Sequence, residues 1–322
     1  MLEMNKIKEI KPLIIGIGVA GKRHLEAQLN LGFITGVYTT NPQTVKSLRK
    51  QKEIIVFENL EDGLDWANLV HVCTPDDTHS EFVAKAIKKG KTVICEKSFT
   101  TSFKDALFLQ NLAHKHDIKV FVGQNYRLTP TFVEIRKRVL NGQLGIISQI
   151  ETTYFHDRND YQKRYQGKNF LYTGGSHAVD LASWIVGERI VSVQVFSENE
   201  LKYNIEVEFS SGLKGNIKLD ANSPRSLSGT DLIIQGERGR LVSYNKSDKL
   251  LFFGYGNEKN QTMILPNTKS FTIPSEIKII DDYLLGKTTS YSPLPEINEA
   301  VYLIKILDTI KQAIFSGKNE KV

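Results

Sequence analysis

Short apolar runs alternate with amphipathic segments along the first 125 residues of this 322-residue chain. The apolar runs have the length of β-strands, and the segments between them carry apolar residues at helical spacing. The first run, "PLIIGIG", starts at Pro12, and the last, "KVFVGQN", starts at Lys119. Strands that alternate with helices in this way build a parallel sheet. The pattern therefore predicts an α/β domain over residues 1–125.

The pattern changes to period two in the second half of the chain. In "YNIEVEFSSGLKGNIKLD", Ile205, Val207 and Phe209 alternate with polar residues, "SSG" predicts a turn, and the alternation continues afterwards. Strands of this kind have one apolar and one polar face, as in an antiparallel sheet that is open on one side. We therefore expect a second, α+β domain over residues 126–322 with a large, open, mostly antiparallel sheet.

Composition narrows the classes of partner. The 42 basic and 36 acidic residues give a net charge of +6, but the lysines are scattered, so no nucleic-acid partner is predicted. No apolar run approaches the ~20 residues that span a bilayer, and the polar N-terminus does not resemble a secretory signal. Cys73 and Cys95 lie in apolar strand patterns, which predicts buried thiols and a cytoplasmic location rather than a disulfide framework.

The first strand leads into a glycine-rich turn, "GIGVAG". This is the G-x-G-x-x-G pattern, and it stands between a predicted strand and a predicted helix. Backbone amides at such a helix start bind the pyrophosphate of a dinucleotide. The predicted cofactor-binding residues here are Gly16, Gly18, Val19, Ala20 and Gly21.

The end of the second strand bears on the choice of cofactor. NAD-binding units of this kind often carry a carboxylate about 20 residues after the glycines, but this strand ends in Thr39 and Thr40. Without that negative charge a 2'-phosphate meets no repulsion, and Lys22 and Arg23 would attract it. NAD and NADP are both candidates, and the sequence favours NADP. The alternative is that Lys22 and Arg23 are only solvated at a helix start.

Four segments in a fixed order resemble the glucose-fructose oxidoreductase, inositol dehydrogenase and MocA family, written Gfo/Idh/MocA. They are the glycine turn, "TPDDTH", "CEKS" and "GGSHAVD". The resemblance implies a Rossmann dinucleotide-binding domain followed by a substrate-binding and oligomerisation domain. It also implies that Thr74, Pro75 and His79 lie at the cofactor. For His79, a hydrogen bond at a helix start is an equal alternative to a catalytic role.

"CEKS" matches the family's E-K-P motif. The resemblance implies that Glu96 lies close to the cofactor and that Lys97 contacts both the cofactor and the reacting hydroxyl or carbonyl. A fixed cation there stabilises negative charge on the substrate oxygen. Ser98 replaces the proline of the motif, and a cis bond before a residue other than proline costs about 3 kcal/mol or more. The placement of Lys97 is therefore open.

"YTGGSHAVD" supplies the other candidate catalytic groups. By resemblance His177 is the general acid and base, and Asp180, one helical turn later, orients it. Many family members carry an aspartate four residues before this histidine, where this chain has Thr173. Threonine binds a substrate hydroxyl but carries no charge, so a mechanism that needs that carboxylate is not available.

The predicted domain junction, "NYRLTP", carries Tyr126 and Arg127 as candidates for binding substrate oxygens together with Thr173 and His177. An equal alternative for Arg127 is that it ties the two domains together. The following loop, "FHDRNDYQKRYQGKNF", is rich in polar side chains, as a sugar pocket or a solvated loop would be. No Cys/His set has the spacing of a metal site, so no metal is predicted.

The resemblance implies an enzyme that transfers a hydride between NAD(P) and a secondary alcohol or ketone of a sugar, cyclitol or related polyol. It also implies a homo-oligomer, either dimer or tetramer. Two alternatives stay open: an NAD-dependent glycosidase of the same family, and a non-catalytic dinucleotide-binding regulator. The presence of both Lys97 and His177 argues against the regulator.

Overall fold

A computed structural model describes residues 9–157, 159, 170–199, 201–244, 248–266 and 272–322. In the first half of the chain, six strands form one parallel sheet in the spatial order β3-β2-β1-β4-β5-β6. The strands are β1 (Pro12–Ile15), β2 (Thr35–Tyr38), β3 (Ile54–Phe57), β4 (Leu69–Val72), β5 (Thr92–Cys95) and β6 (Val120–Val122). Strands β1 and β4 are buried along their whole length, as expected when helices cover both faces of a parallel sheet.

The connecting helices begin where the sequence places their caps. Asn41 and Ser102 are N-caps whose side chains accept backbone N–H bonds, and Asn59 caps a third helix in the same way. The helices are α1 (Val19–Asn30), α2 (Pro42–Leu48), α3 (Leu60–Trp66), α4 (His79–Lys88) and α5 (Phe103–His116), with short 3₁₀ helices at Asp76–Thr78 and Asn125–Leu128. The strand order reverses between β1 and β4, and ligands of such sheets bind at this point, beyond the carboxyl ends of the strands.

The second half of the chain is built on a nine-stranded, mostly antiparallel sheet. Strands β7 and β10 form its parallel pair among the strands described. Residues facing the two sides alternate between buried and exposed, as in β10. The elements are α6 (Pro130–Leu140), β7 (Ile147–Asp157), a π-helical turn (Leu171–Gly175), α7 (Ser176–Val186), β8 (Ile190–Asn199), β9 (Lys202–Phe209), β10 (Lys214–Ser223), a 3₁₀ helix (Arg225–Leu227), β11 (Gly229–Gly236), β12 (Gly239–Ser243), β13 (Lys249–Gly254), β14 (Gln261–Ile264), α8 (Ile273–Leu284), α9 (Ile297–Ser316) and β15 (Glu320–Lys321).

The two sheets confirm the predicted fold class, a Rossmann-type parallel sheet followed by a large, mostly antiparallel sheet. The alternation predicted for β9 and β10 is present, with Ile205, Ile217 and Leu219 almost wholly buried. Strand β8 and helix α8 were not predicted from the sequence. Among the helices of the described residues, none is both long enough and apolar enough to cross a membrane.

The chain forms two compact units. The first contains the described residues up to Asn125 together with Thr272–Ile304, and the second contains those of 126–271 and 305–322. The prediction placed residues 272–304 in the second domain, whereas the contacts within the structure group them with the first unit. The physical reason is packing: Ile273 and Ile277 of α8 form an apolar cluster with Ala27 of α1. The functions expected of the two domains stay predictions.

Candidate active site

The glycine turn has the geometry that a phosphate-binding loop needs. Gly16 has a φ of +88°, in the region that favours glycine, and a Cβ on Gly21 would lie 1.9 Å from the carbonyl oxygen of Gly16. By contrast, a Cβ on Gly18 would meet no atom of the described residues within 4 Å. Gly18 is the N-cap of α1, and no described side chain caps that helix end. The open face and the uncapped amides fit a dinucleotide pyrophosphate.

Thr39 and Thr40, at the end of β2, line a surface cleft with two cations, Lys46 and Arg49. Arg49 forms an exposed ion pair with Glu58, another residue of the cleft. The predicted phosphate ligands Lys22 and Arg23 are exposed on the first turns of α1. Arg49 and Lys46 were not singled out from the sequence, although both lie within ten residues of Thr39.

His79 joins the ends of two neighbouring strands. Its Nε2 lies 2.9 Å from the carbonyl oxygen of Thr74, and its Nδ1 lies 2.7 Å from that of Ser98. Both partners are carbonyl acceptors, so a ring N–H of His79 donates to one of the two segments that follow β4 and β5, and the other ring nitrogen lies close to the second. Pro75 caps the short 3₁₀ helix between Thr74 and His79. These contacts favour the structural alternative for His79, a hydrogen bond at a helix start, over a role in proton transfer.

Glu96 and Lys97 follow directly after β5. The Lys97–Ser98 peptide bond is cis, although residue 98 is serine. Lys97 is half-buried, and its backbone N–H donates to Oε2 of Glu96 over 3.3 Å. Oε1 of Glu96 lies 2.9 Å from Nε2 of His24, a fully buried residue of α1. Burial alone would raise the pKa of Glu96, but the hydrogen bond from His24 and the charge of Lys97 hold this pKa below its usual value.

The pKa of a second buried glutamate, Glu276, is shifted in the opposite direction. Glu276 of α8 is fully buried, and its Oε1 would lie 3.3 Å from a Cβ on Gly123, next to the backbone of Glu96. Neither of its side-chain oxygens has a hydrogen-bond partner among the described residues. Burial and the neighbouring charge of Glu96 raise the pKa of Glu276 well above its ordinary value. Burial and neighbouring charges therefore shift the pKa values of Glu276 and Glu96 in opposite directions.

In the second unit, His177 lies under an aromatic ring. The rings of His177 and Tyr126 stack with centroids 3.9 Å apart and an interplanar angle of 6°. His177 is the second residue of α7, and Thr173 lies in the π-helical turn that leads into that helix. The structure therefore places three predicted substrate-binding or catalytic residues, Tyr126, Thr173 and His177, within one buried region of this unit.

Asp180 binds Arg127 through both carboxylate oxygens. Arg127 donates from Nε to Oδ2 over 2.9 Å and from Nη2 to Oδ1 over 2.6 Å. Both side chains are buried, and the guanidinium lies 5.9 Å from the ring of Trp184. The ion pair lies wholly inside the second unit and fixes the segment that carries Tyr126. The predicted substrate contact of Arg127 and the predicted orientation of His177 by Asp180 stay predictions.

The polar loop of the second domain lies partly outside the described residues, including Arg158, Tyr161 and Lys163. In the part of the chain that is described, no group of three or more His, Cys, Asp or Glu residues is arranged to hold a metal ion. Cys73 and Cys95 are buried, free thiols, and burial raises the pKa of each well above its ordinary value.

Sequence reasoning missed the polar groups behind Glu96. The signal was a polar residue in an otherwise apolar pattern, as in "LVHV", the buried strand β4. The same holds for α8, where Ile273, Ile277 and Ile280 mark a helical stripe that also contains carboxylates. The missed residues are His24, Gln28, His71, Glu276 and Asp281.

Two family profiles match this chain. A profile described as "Oxidoreductase family, NAD-binding Rossmann fold" matches residues 10–124, and one described as "GFO/IDH/MocA C-terminal domain" matches residues 132–242. The chain therefore belongs to the Gfo/Idh/MocA oxidoreductase family, which confirms the resemblance.

Individual relatives share only about a third or less of their residues with this chain in the matched regions. An uncharacterized oxidoreductase from Schizosaccharomyces pombe is 33% identical over 144 residues, which are 42% of this chain and 39% of that protein. The chain thus matches less than two thirds of the length of the first relatives found. Myo-inositol 2-dehydrogenase from Thermotoga maritima is 28% identical over 258 residues, 72% of this chain and 74% of that protein.

The solved structure of the WlbA dehydrogenase from Bordetella pertussis, in complex with NADH and UDP-GlcNAcA, superposes with a TM-score of 0.84. It covers 98% of this chain and 99% of its own, at 19% identity. This similarity shows the fold alone.

Proposed function

We propose that the protein is a nicotinamide-dependent oxidoreductase acting on a secondary alcohol or ketone of a sugar, cyclitol or related polyol. The observation that carries the proposal is the half-buried Lys97 beside the carboxylate of Glu96, in the same unit as the uncapped glycine turn. A nicotinamide dinucleotide, when bound, supplies or accepts the hydride. The glycine turn would hold its pyrophosphate, and Thr74, Pro75 and Glu96 would line its site.

Two side chains would serve the substrate oxygen. The Lys97 ammonium stabilises negative charge on that oxygen, and the His177 imidazole takes the hydroxyl proton in oxidation or returns one in ketone reduction. Tyr126 holds the His177 ring by stacking on it. A relative named for myo-inositol supports a ring-shaped, hydroxyl-rich substrate.

The experiment is a screen of sugars and inositols with NAD and NADP, followed by absorbance of the reduced nicotinamide. On the best substrate, we expect Lys97→Met and His177→Ala each to lower turnover about a hundredfold or more. The exposed residues Lys88 and His116 provide matched controls, because Lys88→Met and His116→Ala remove the same groups at positions to which the proposal assigns no role. Turnover within about threefold of the parent in either site variant would refute the assigned roles.

For the cofactor we propose NADP over NAD. Thr39 and Thr40 supply no carboxylate to repel a 2'-phosphate, and Lys46 and Arg49 share their cleft. In a fluorescence titration we expect NADPH to bind more tightly than NADH. Arg49→Leu should weaken NADPH binding and leave NADH binding unchanged, whereas the exposed neighbour Lys50, changed to leucine, should affect neither. Tighter binding of NADH by the parent protein would overturn the preference.

We also propose that the protein is a homo-oligomer, a dimer or tetramer, and that it works in the cytoplasm. The open face of the nine-stranded sheet supports an oligomer, because it bears a groove lined by Phe196, Ile233 and several charged side chains. Phe196 is 49% exposed there. Light scattering on the purified protein should give a mass of two or four chains, and Phe196→Asp should lower that mass. A monomer at micromolar concentration would refute the proposal.

A further inference from the structure

Five buried polar side chains form one line inside the first unit, and it ends at Glu96. Nε2 of His24 lies 2.9 Å from Glu96, and Nδ1 of His24 lies 3.0 Å from Nδ1 of His71. Nε2 of His71 lies 3.1 Å from the amide nitrogen of Gln28, which lies 3.4 Å from Oδ1 of Asp281. Each of these residues is at most 7% exposed.

The acceptor at one end of the line and the amide donor near the other end fix the direction of the hydrogen bonds between them. The carboxylate of Glu96 only accepts, so Nε2 of His24 must carry a hydrogen. The amide nitrogen of Gln28 only donates, so Nε2 of His71 must be the bare, accepting nitrogen. His71 then carries its hydrogen on Nδ1 and donates to the bare Nδ1 of His24. Every contact is satisfied with both rings neutral, and burial agrees, because it lowers the pKa of His71 well below its ordinary value.

We propose that His71 and Gln28 are positioning residues of the active site, which fix the tautomer of His24 so that it holds Glu96 as a carboxylate beside Lys97. Neither residue touches the reacting atoms. The role of Lys97 itself rests on the proposed function.

We infer that this line of side chains stabilises the charge of Glu96 and does not conduct protons. A proton relay needs a group at each step that both takes up and releases a proton, and the amide of Gln28 does not do so at neutral pH. His71 is also fully buried, so it has no outlet to water. What the line supplies is orientation: His24 contacts one oxygen of Glu96, and the backbone N–H of Lys97 contacts the other.

Several charged or titratable groups face Glu96 from the surrounding elements. Glu276 of α8 opposes its charge, and the cations or histidines favour it. The two thiols that flank the site are kept protonated by burial and by the charge of Glu96. The full set is His24, Cys73, His79, Cys95, Lys97 and Glu276.

The direct test is the ¹⁵N spectrum of the histidine rings in the wild-type protein at neutral pH. The signals are assigned by their loss in His71→Leu and His24→Leu. We expect a neutral His71 with hydrogen on Nδ1 and a neutral His24 with hydrogen on Nε2. An imidazolium at either position, or hydrogen on Nε2 of His71, would overturn the proposal. This result does not depend on turnover, so it stands apart from the test of the proposed function.

A matched pair of variants tests the consequence for the site. Asparagine at position 71 retains a donor close to the place of Nδ1, whereas leucine retains none. With the best substrate, we expect His71→Leu to move the acid limb of the pH–rate profile up by about one pH unit or more, because Glu96 then loses support for its charge. His71→Asn should keep the wild-type limb. Equal profiles for both variants, shifted or not, would overturn the proposal.

Discussion

Glu96 in the first unit and Asp180 in the second are both buried carboxylates, but the protein balances their charges differently. Glu96 receives a hydrogen bond from the imidazole of His24, whereas Asp180 receives two from the guanidinium of Arg127. A guanidinium stays protonated at any pH at which proteins fold, but an imidazole changes state near neutrality. Support of the Glu96 charge therefore depends on the tautomers behind it, while the partner of Asp180 carries a permanent charge.

Because their partners differ, we expect Glu96 and Asp180 to have different roles. Glu96 lies next to Lys97, so under the proposed function its charge would act on the reacting groups. Asp180 fixes Arg127, whose neighbour Tyr126 stacks on His177. Asp180 is thus linked to His177 through the backbone that joins Arg127 and Tyr126, while direct orientation of His177 by Asp180 stays a prediction.

The largest effect is expected from breaking the ion pair between Arg127 and Asp180. Arg127→Met leaves Asp180 buried without its guanidinium, and we expect it to lower the free energy of unfolding by about 3–5 kcal/mol. Removing both charges in Arg127→Met/Asp180→Leu should cost less than the single change, because no uncompensated charge remains. Denaturant unfolding measures both. A double variant that is less stable than Arg127→Met would contradict this account of the pair.

The sequence predicted elements well where one physical rule decides them. The four-residue run "IIVF" is strand β3, residue for residue, because an apolar run between turns has no competing structure. It also predicted Glu96 and Lys97 at a strand end. It did not predict the partners of Glu96, because His24, His71 and Asp281 lie on three elements that only the tertiary fold brings together.

The next largest effect tests whether the pKa of Glu276 is shifted in the direction opposite to that of Glu96. The folded-state pKa of Glu276 is raised, so the folded protein keeps a proton that the unfolded chain loses above about pH 4.3. Wild-type stability should therefore fall as pH rises from that value, by at most about 1.4 kcal/mol per pH unit. Glu276→Gln binds no proton in either state and should lack this slope. Denaturant unfolding from pH 5 to 8 checks it, and parallel curves would show that Glu276 is ionised in the folded protein.

The smallest effect compares two adjacent aspartates on α8. Burial raises the pKa of Asp281 to about 7, despite its hydrogen bond from Gln28, whereas the hydrogen bond from Lys278 lowers the pKa of Asp282. Asp281 therefore costs stability as pH rises from about 3.9 to its folded-state pKa, and Asp282 adds stability above about 3.9.

At pH 8 we expect Asp281→Asn to raise the free energy of unfolding, and Asp282→Asn to lower it by less than about 1 kcal/mol. Thermal unfolding at pH 5 and pH 8 distinguishes the two. Effects of the same sign at pH 8 would contradict the assigned ionisation states.

The proposed function requires that Lys97 and His177 act on one substrate oxygen. The most direct measurement is a double-mutant cycle on turnover with Lys97→Met, His177→Ala and the double variant. Groups that act as a unit give strongly non-additive losses. We therefore predict that the double variant loses little more activity than the worse single variant. Losses that multiply would contradict the claim and show that the two side chains contribute independently.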